Sequence, residues 1–479
     1  MAARPHTNEN YLLAKIKRGE QMSFREQLLL TAQLSVPAMM AQVSSIVMQY
    51  IDASMVGSLG ADDSASIGLV STTTWLFGGL CSAIAAGFAV QVAHLIGANR
   101  NGDARSVLRQ SLVVALLLSV LLAIVGCSIS FRLPYWLGAN AEIAPHASQY
   151  FFILMLCLPF LEMEFLAAGM LRCSGNMKVP SILSILMCVL DVAFNFLLIF
   201  ETRDVVILGQ SVTIPGAGLG VLGAALGTTM AEVVVCLLMM YFLCFRSTEL
   251  AIVREKGSFA IQRSVLQRAF KIGTPIGLQH GVMCMAQVLI TAIVAPLGSV
   301  AIAANAFAIT AESLCYMPGY GVADAATTLV GQSLGARRKD LTRRFAYITM
   351  GLGMMIMTVM GVLMYVFAPV MMGVMSSVAD IVSQGVEVLR IEAFAEPLFA
   401  ASIVCYGVMV GAGDTLKPCI MNLSSMWAVR LTMAAILAPQ YGLRGVWIAM
   451  CAELCFRGVI FLWRLFSGVW MKNEVVKPV

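Results

Sequence analysis

Leu171–Pro180 reads LRCSGNMKVP, and further along Gly411–Pro418 reads GAGDTLKP, so that Gly175 and Pro180 fall on Gly413 and Pro418 at an offset of 238. The same offset pairs Pro37 with Pro275, Leu59-Gly60 with Leu297-Gly298, Gly97-Ala98 with Gly335-Ala336, and Pro159 with Pro397. Self-similarity at a fixed offset with order preserved marks a duplicated unit. The matching segments are long apolar runs, so the halves read as two similar helical lobes in a membrane, the arrangement of a secondary transporter. Past Pro180 the offset shortens to 222, pairing Gly223-Ala224 with Gly445-Val446. The first half therefore holds an insertion, and Glu201–Gly216 alternates apolar and polar residues around Gly209-Gln210. That pattern suits a small external hairpin.

Composition sets the solvent. With 59% hydrophobic and 12% charged residues and a mean hydropathy of +0.85, the chain is not a soluble globule, since those carry about a quarter charged residues. Runs long enough to cross a bilayer, roughly 20 residues each, are Thr31–Val56, Ser64–Ile96, Val107–Phe131, Ala147–Leu171, Val179–Phe200 and Gly218–Phe245. The second half supplies Ile272–Leu297, Val300–Leu334, Phe345–Met372, Gly385–Val410, Pro418–Ala438 and Gly445–Leu465. The expected architecture is an all-α polytopic membrane protein with 12 transmembrane helices in two six-helix lobes. Residues 1–30 form an interfacial amino-terminal segment, 31–245 the first lobe, 246–271 a linker, 272–466 the second lobe and 467–479 a tail.

Charge orients the chain. Arg100, Arg105 and Arg109 follow the second span, Arg172 and Lys178 the fourth, Arg254, Lys256, Arg263 and Arg268 the sixth, and Arg337, Arg338, Lys339, Arg343 and Arg344 the eighth. The alternate loops carry few cations, mainly Arg132, Arg203 and Arg444. The positive-inside rule then places both termini and the linker in the cytoplasm. Met1–Gln27 is polar and has no signal-peptide pattern. The 13 cysteines lie mostly in apolar runs without CxxC spacing, and the four histidines are dispersed with no HExxH. Neither a disulfide framework, a zinc site nor an embedded hydrolase is expected, so the chain reads as no enzyme, with no catalytic residues and no cofactor.

Five runs carry a family likeness: IDASMVGSLG (Ile51–Gly60), LRCSGNMKVP (Leu171–Pro180), AATTLVGQSLGA (Ala325–Ala336), GAGDTLKP (Gly411–Pro418) and RLFSGVWMK (Arg464–Lys472). In their order, and with the six-plus-six repeat, they resemble the multidrug and toxic compound extrusion (MATE) transporters over nearly the whole chain. The resemblance implies a V-shaped pair of lobes in a bacterial inner membrane and alternating access. It also implies export of cationic or amphipathic drug-like molecules against inward flow of sodium ions or protons. Expected partners are those small molecules and membrane lipids, with no nucleic acid, and the working unit is a monomer.

Acids inside spans are costly and mark ion paths. Asp52 stands 15 residues after Pro37, where the family has an intramembrane aspartate, and its repeat partner is Ile290. Capping a helix end near water is the competing role. Asp191 and Asn195 are spaced i, i+4 and share a helix face; they resemble a polar pair of the family, in the reverse order of one branch. Thr228 matches a hydroxyl position of the same first-lobe cation or proton site, where sodium is a possible ligand. Interhelical hydrogen bonding is the structural role open to Asn195 and Thr228.

In the second lobe Glu392 and Glu396 are also i, i+4, directly before Pro397, where an interrupted helix could turn carbonyls toward an ion. Gln279, His280 and Glu312 are further second-lobe candidates, as is Asp324 in the eighth span. The seventh span has Gln279, His280 and Gln287 but no acid, unlike the sodium-coupled branch. Glu162 and Glu164 face opposite ways and cannot both line one cavity. Arg430, Glu453 and Arg457 fit ion pairing or snorkelling, and the 32 methionines suit either an adaptable pocket or lipid contact. A flippase or a dedicated metabolite exporter is the alternative on this fold. A channel would need continuous polar stripes, and the unequal acids of the two halves argue against one.

Overall fold

In the computed structural model, which describes residues 11–207 and 210–472, a short helix α1 (Tyr11–Arg18) precedes the first long one, α2 (Phe24–Gly57). Ser23 separates them with a capping box: its hydroxyl accepts from Glu26 N at 3.3 Å while Glu26 Oε2 accepts from Ser23 N at 2.9 Å. Two orphan donors are thereby satisfied, and α2 starts well ahead of residue 31. The first half continues with α3 (Ala61–Gly97), α4 (Asn101–Ile129), the single turn α5 (Leu133–Trp136), α6 (Ile143–Leu156), α7 (Leu158–Cys173), α8 (Lys178–Ile199) and α9 (Val221–Tyr241). The second half has α10 (Arg263–Val294), α11 (Ser299–Gly335), α12 (Lys339–Met375), α13 (Ala379–Glu392), α14 (Glu396–Gly411), α15 (Leu416–Ser424), a π-helical stretch at Ser425–Leu431, α16 (Thr432–Tyr441) and α17 (Leu443–Ser467).

Ten helices, some joined across the short breaks between these elements, are long and apolar enough to cross a membrane, and two bent pairs bring the total to 12. The bent pairs are α6 with α7, at 48°, and α13 with α14, at 61°. Pro159 and Pro397 sit at the start of the helix after each bend, a position where the missing N–H costs nothing. The duplication is visible in the helix bounds. Shifting α3 by 238 positions gives α11, and shifting α7 gives α14.

Each lobe has its own apolar core. The first packs Phe88, Leu108, Met170 and Met239; the second packs Met364, Leu389, Trp447 and their neighbours. The lobes meet chiefly along α2 against α11 and α3 against α10 and α11. Near the ends that carry the arginine-rich loops, here termed the cationic end, backbones nearly touch. A Cβ on Gly97 would stand 2.0 Å from Gln332 O, and one on Gly335 would stand 2.1 Å from His94 O. His94 Nε2 meets Gly411 O at 2.8 Å, and Gln332 Nε2 donates to Cys173 O at 2.8 Å.

The linker after α9 is strapped to the first lobe: Arg105 Nη2 pairs with Glu255 at 2.6 Å and Gln110 Oε1 accepts from Gln262 N at 2.8 Å. Lys17 of α1 pairs with Glu249, and Lys15 O accepts from Arg338 at 3.2 Å, so α1 touches both halves. The expected hairpin is present as β1 (Glu201–Ile207) and β2 (Gln210–Ala217), antiparallel with Ile207 opposite Gln210; its Gly209 lies outside the described residues.

Candidate functional site

α8 and α9 cross closely because α9 presents glycines where it passes α8. A Cβ on Gly223 would stand 2.4 Å from Leu198 O, and one on Gly227 would stand 2.1 Å from Asn195 Oδ1. The crossing sets Thr228 beside Asp191, within hydrogen-bonding reach. α2 also packs on α8, and it brings Asp52 to the same point. Asn195 Nδ2 donates to Asp52 Oδ1 at 3.0 Å and to Asp191 Oδ2 at 3.2 Å. The Asp52 and Asp191 carboxyls also lie within hydrogen-bonding reach of each other.

All four first-lobe candidates thus converge. Asp191 and Asn195 are buried, while Asp52 and Thr228 are part-exposed. Asp191 Oδ1 and Asn195 Oδ1 have no hydrogen-bond partner. Interhelical bonding, the structural role open to Asn195, is therefore present, and both of its acceptors are acids. The arrangement is a cluster of oxygens with one bridging amide, able to hold protons or a hard cation.

The second lobe buries a separate polar cluster. Glu453 is held by Arg457 Nε and Nη2, both at 2.7 Å, by Ser425 Oγ at 2.6 Å and by Arg430 Nε at 3.7 Å. Glu392 and Glu396 are fully buried, and all four of their carboxyl oxygens lack a partner. They are not on one helix face, because the 61° break falls between them. Glu312, 5% exposed, lies within electrostatic reach of both and of Arg430.

Gln279 and His280 do not join this cluster. Gln279 lies within hydrogen-bonding reach of Tyr406, and the His280 ring packs on α3, where a Cβ on Gly79 would lie 2.6 Å from it. Adjacent positions on α10 point about 100° apart, which takes them to different neighbours. Asp324 is the acceptor for Arg172 Nη1, at 3.0 Å, and for Gln42 Nε2, at 3.3 Å, so it bridges the lobes.

Sequence reasoning missed Glu232 in α9, which lies within electrostatic reach of Asp191 and Glu164. The same rule that singled out the other intramembrane acids would have found it. It also missed Tyr50, whose hydroxyl donates to Thr310 O across the lobes at 2.5 Å. A groove of about 650 Å³ between α3, α4 and α10 is walled by side chains such as Leu80, Phe88, Leu118 and Leu278 and holds no titratable group. Among the described residues no group of three or more His, Cys, Asp or Glu side chains could hold a metal ion.

Known proteins share this plan. The chain is 25% identical over 477 residues to the probable multidrug resistance protein NorM of Thermotoga maritima, covering 98% of this chain and 97% of that one. It is 25% identical over 455 residues to the multidrug resistance protein MdtK of Yersinia pestis (strain Pestoides F), covering 92% and 95%. Among solved structures it is similar to an outward-facing multidrug resistance MATE family transporter of the MOP superfamily, with a TM-score of 0.85 at 21% identity over 96% of this chain and 99% of that one. A MOP superfamily transporter from Pyrococcus furiosus matches with a TM-score of 0.85 at 20% identity, over 98% and 100%. The sequence model of the MatE family matches residues 37–197 and 275–436, one segment in each lobe. The chain belongs to the MatE family and is a multi-pass MATE transporter.

Proposed function

We propose that this transporter exports cationic or amphipathic organic compounds and exchanges them for protons at Asp52, Asp191, Asn195 and Thr228 by alternating access. The observation that carries the reading is one asparagine amide joining two carboxyls from different helices. The two carboxyls also lie within hydrogen-bonding reach of each other, where two full negative charges repel, so a proton shared between them stabilises the contact. Losing it leaves two negative charges repelling each other in a poorly screened setting. A proton or an organic cation relieves that repulsion, and the two compete to do so. Because α2 packs on α8 in its own lobe and on α11 in the other, a change in the Asp52–Asp191 contact bears directly on the lobe interface.

The relatives' multidrug resistance names support drug-like organic cargo, and the acidic sign of these membrane charges supports a cationic one. The arginine-rich loops support a cytoplasmic location for the cationic end and both termini, in a bacterial inner membrane. Sodium is the second reading for the coupling ion, favoured by the two unpartnered oxygens, Asp191 Oδ1 and Asn195 Oδ1, in an all-oxygen set. Glu312, Glu392 and Glu396 would then offer an ion a further place in the second lobe.

The test is drug efflux from liposomes containing the purified protein, with proton and sodium gradients imposed separately. Efflux driven by a proton gradient at equal sodium supports the reading. Strict sodium dependence at clamped pH refutes it.

A further inference from the structure

Arg172 ends α7 and reaches across the lobe boundary. Its Nη1 pairs with Asp324 Oδ2 of α11 at 3.0 Å, and its carbonyl accepts from the Thr328 hydroxyl at 3.0 Å. Two turns back along α7 stands Glu164, on the face Arg172 shares, since positions 164, 168 and 172 are spaced i, i+4, i+8. Glu164 is 9% exposed, its Oε2 has no partner, and Arg172 is within electrostatic reach. One guanidinium therefore pairs with a carboxylate of the other lobe while lying within electrostatic reach of a buried carboxyl in its own that has an unpartnered oxygen.

We propose that Glu164 is a further proton-binding residue of the transport cycle and that Arg172 serves two carboxyls in turn, Asp324 while the cationic end is shut and Glu164 once it opens. A lone charge buried that deeply is strongly disfavoured, so Glu164 keeps its proton as long as Asp324 holds Arg172. Separation of the lobes completes the solvation of Asp324, whose side chain is already 32% exposed, and frees the guanidinium. The Glu164 O–H bond then breaks, its proton leaves to the solvent at the cationic end, and the new carboxylate pairs with Arg172. Opening and proton release become one event.

The groups facing Glu164 from its neighbours are Glu232 and Cys236 of α9 and Asp324 of α11 through Arg172. On the far side of α7, Glu162 faces Cys81 of α3. Glu232 lies one turn along α9 from Thr228 and within reach of Asp191, so it is placed to refill Glu164 from the first-lobe site. The inference rests on the proposed proton exchange, and its test is conformational so that the two can fail separately.

Labelled amino acids introduced at the exposed positions Lys178 and Lys339, in opposite lobes at the cationic end, report opening as a distance distribution in lipid nanodiscs. One linked proton moves the closed-to-open ratio by up to about tenfold per pH unit. The wild type should shift toward the long distance as pH rises from about 5 to about 9. Glu164→Gln should stay short throughout, and Asp324→Asn should be long throughout. Asp52→Asn should lose efflux yet keep a pH-dependent distance, which separates this inference from the exchange reading. Wild-type pH dependence in Glu164→Gln overturns the proposal. Should that variant fail to fold, Arg172→Gln decides, since a pH response retained without the guanidinium overturns it equally.

Discussion

Gly97→Ala tests the closure of the cationic end. A methyl at this position would stand 2.0 Å from Gln332 O, whereas carbon and oxygen settle at about 3.3 Å. α3 and α11 must therefore part by roughly 1.3 Å, enough to pull His94 from Gly411 O, at 2.8 Å. Overpacking of this kind costs about 1–3 kcal/mol, and a lost hydrogen bond adds about 1 kcal/mol. The closed state should lose about 2–4 kcal/mol, or roughly 30- to 1000-fold in its ratio to the open one. Gly97 ends α3 without a positive φ, so alanine fits the helix itself and the loss is specific to closure. Gly335→Ala, the repeat-related change at 2.1 Å from His94 O, should act alike, and Gly78→Ala, with nothing within 4 Å, should do nothing. Amide hydrogen exchange across residues 94–101 and 332–338 reads the effect directly. Exchange and efflux unchanged in both glycine variants would refute the reasoning.

Asp52→Asn and Asp191→Asn should each abolish efflux at normal membrane expression, because each removes a charge and a titratable group; full efflux by both sinks the first-lobe assignment. Glu392→Gln should impair proton-driven efflux less than Asp52→Asn, and the reverse order would move the coupling to the second lobe. Arg457→Met leaves Glu453 with the Ser425 hydroxyl and the more distant Arg430 at 3.7 Å, so stability should fall by about 3 kcal/mol, seen as early thermal aggregation; an unshifted melting curve would show the pair to be dispensable. Crosslinking cysteines at the α2 and α10 ends opposite the cationic loops should hold that side shut and stop transport, and unimpaired transport with the crosslink complete would count against rocking of the lobes.

Local information determined the plan of this protein. Bilayer thickness and the absence of water for backbone groups act on each run separately, so apolar length and the repeat offset sufficed to anticipate the spans and the two lobes, and residue alternation the hairpin expected over 201–216. The cost of burying an acid likewise marked Asp52, Asp191, Glu392 and Glu396 one residue at a time. Which of them meet was decided by packing. The glycines at 223 and 227 let α9 close on α8, and only then does Asn195 bridge two carboxyls lying 143 and 4 positions away in the chain. Helix phase sent Gln279 and His280 to Tyr406 and Gly79. Arg172, which reads as one loop cation among many, became an interlobe bridge through a partner 152 positions distant. Side-chain convergence depends on where helices cross, and crossings follow from the fit of small residues across the whole bundle, which no single stretch of sequence contains.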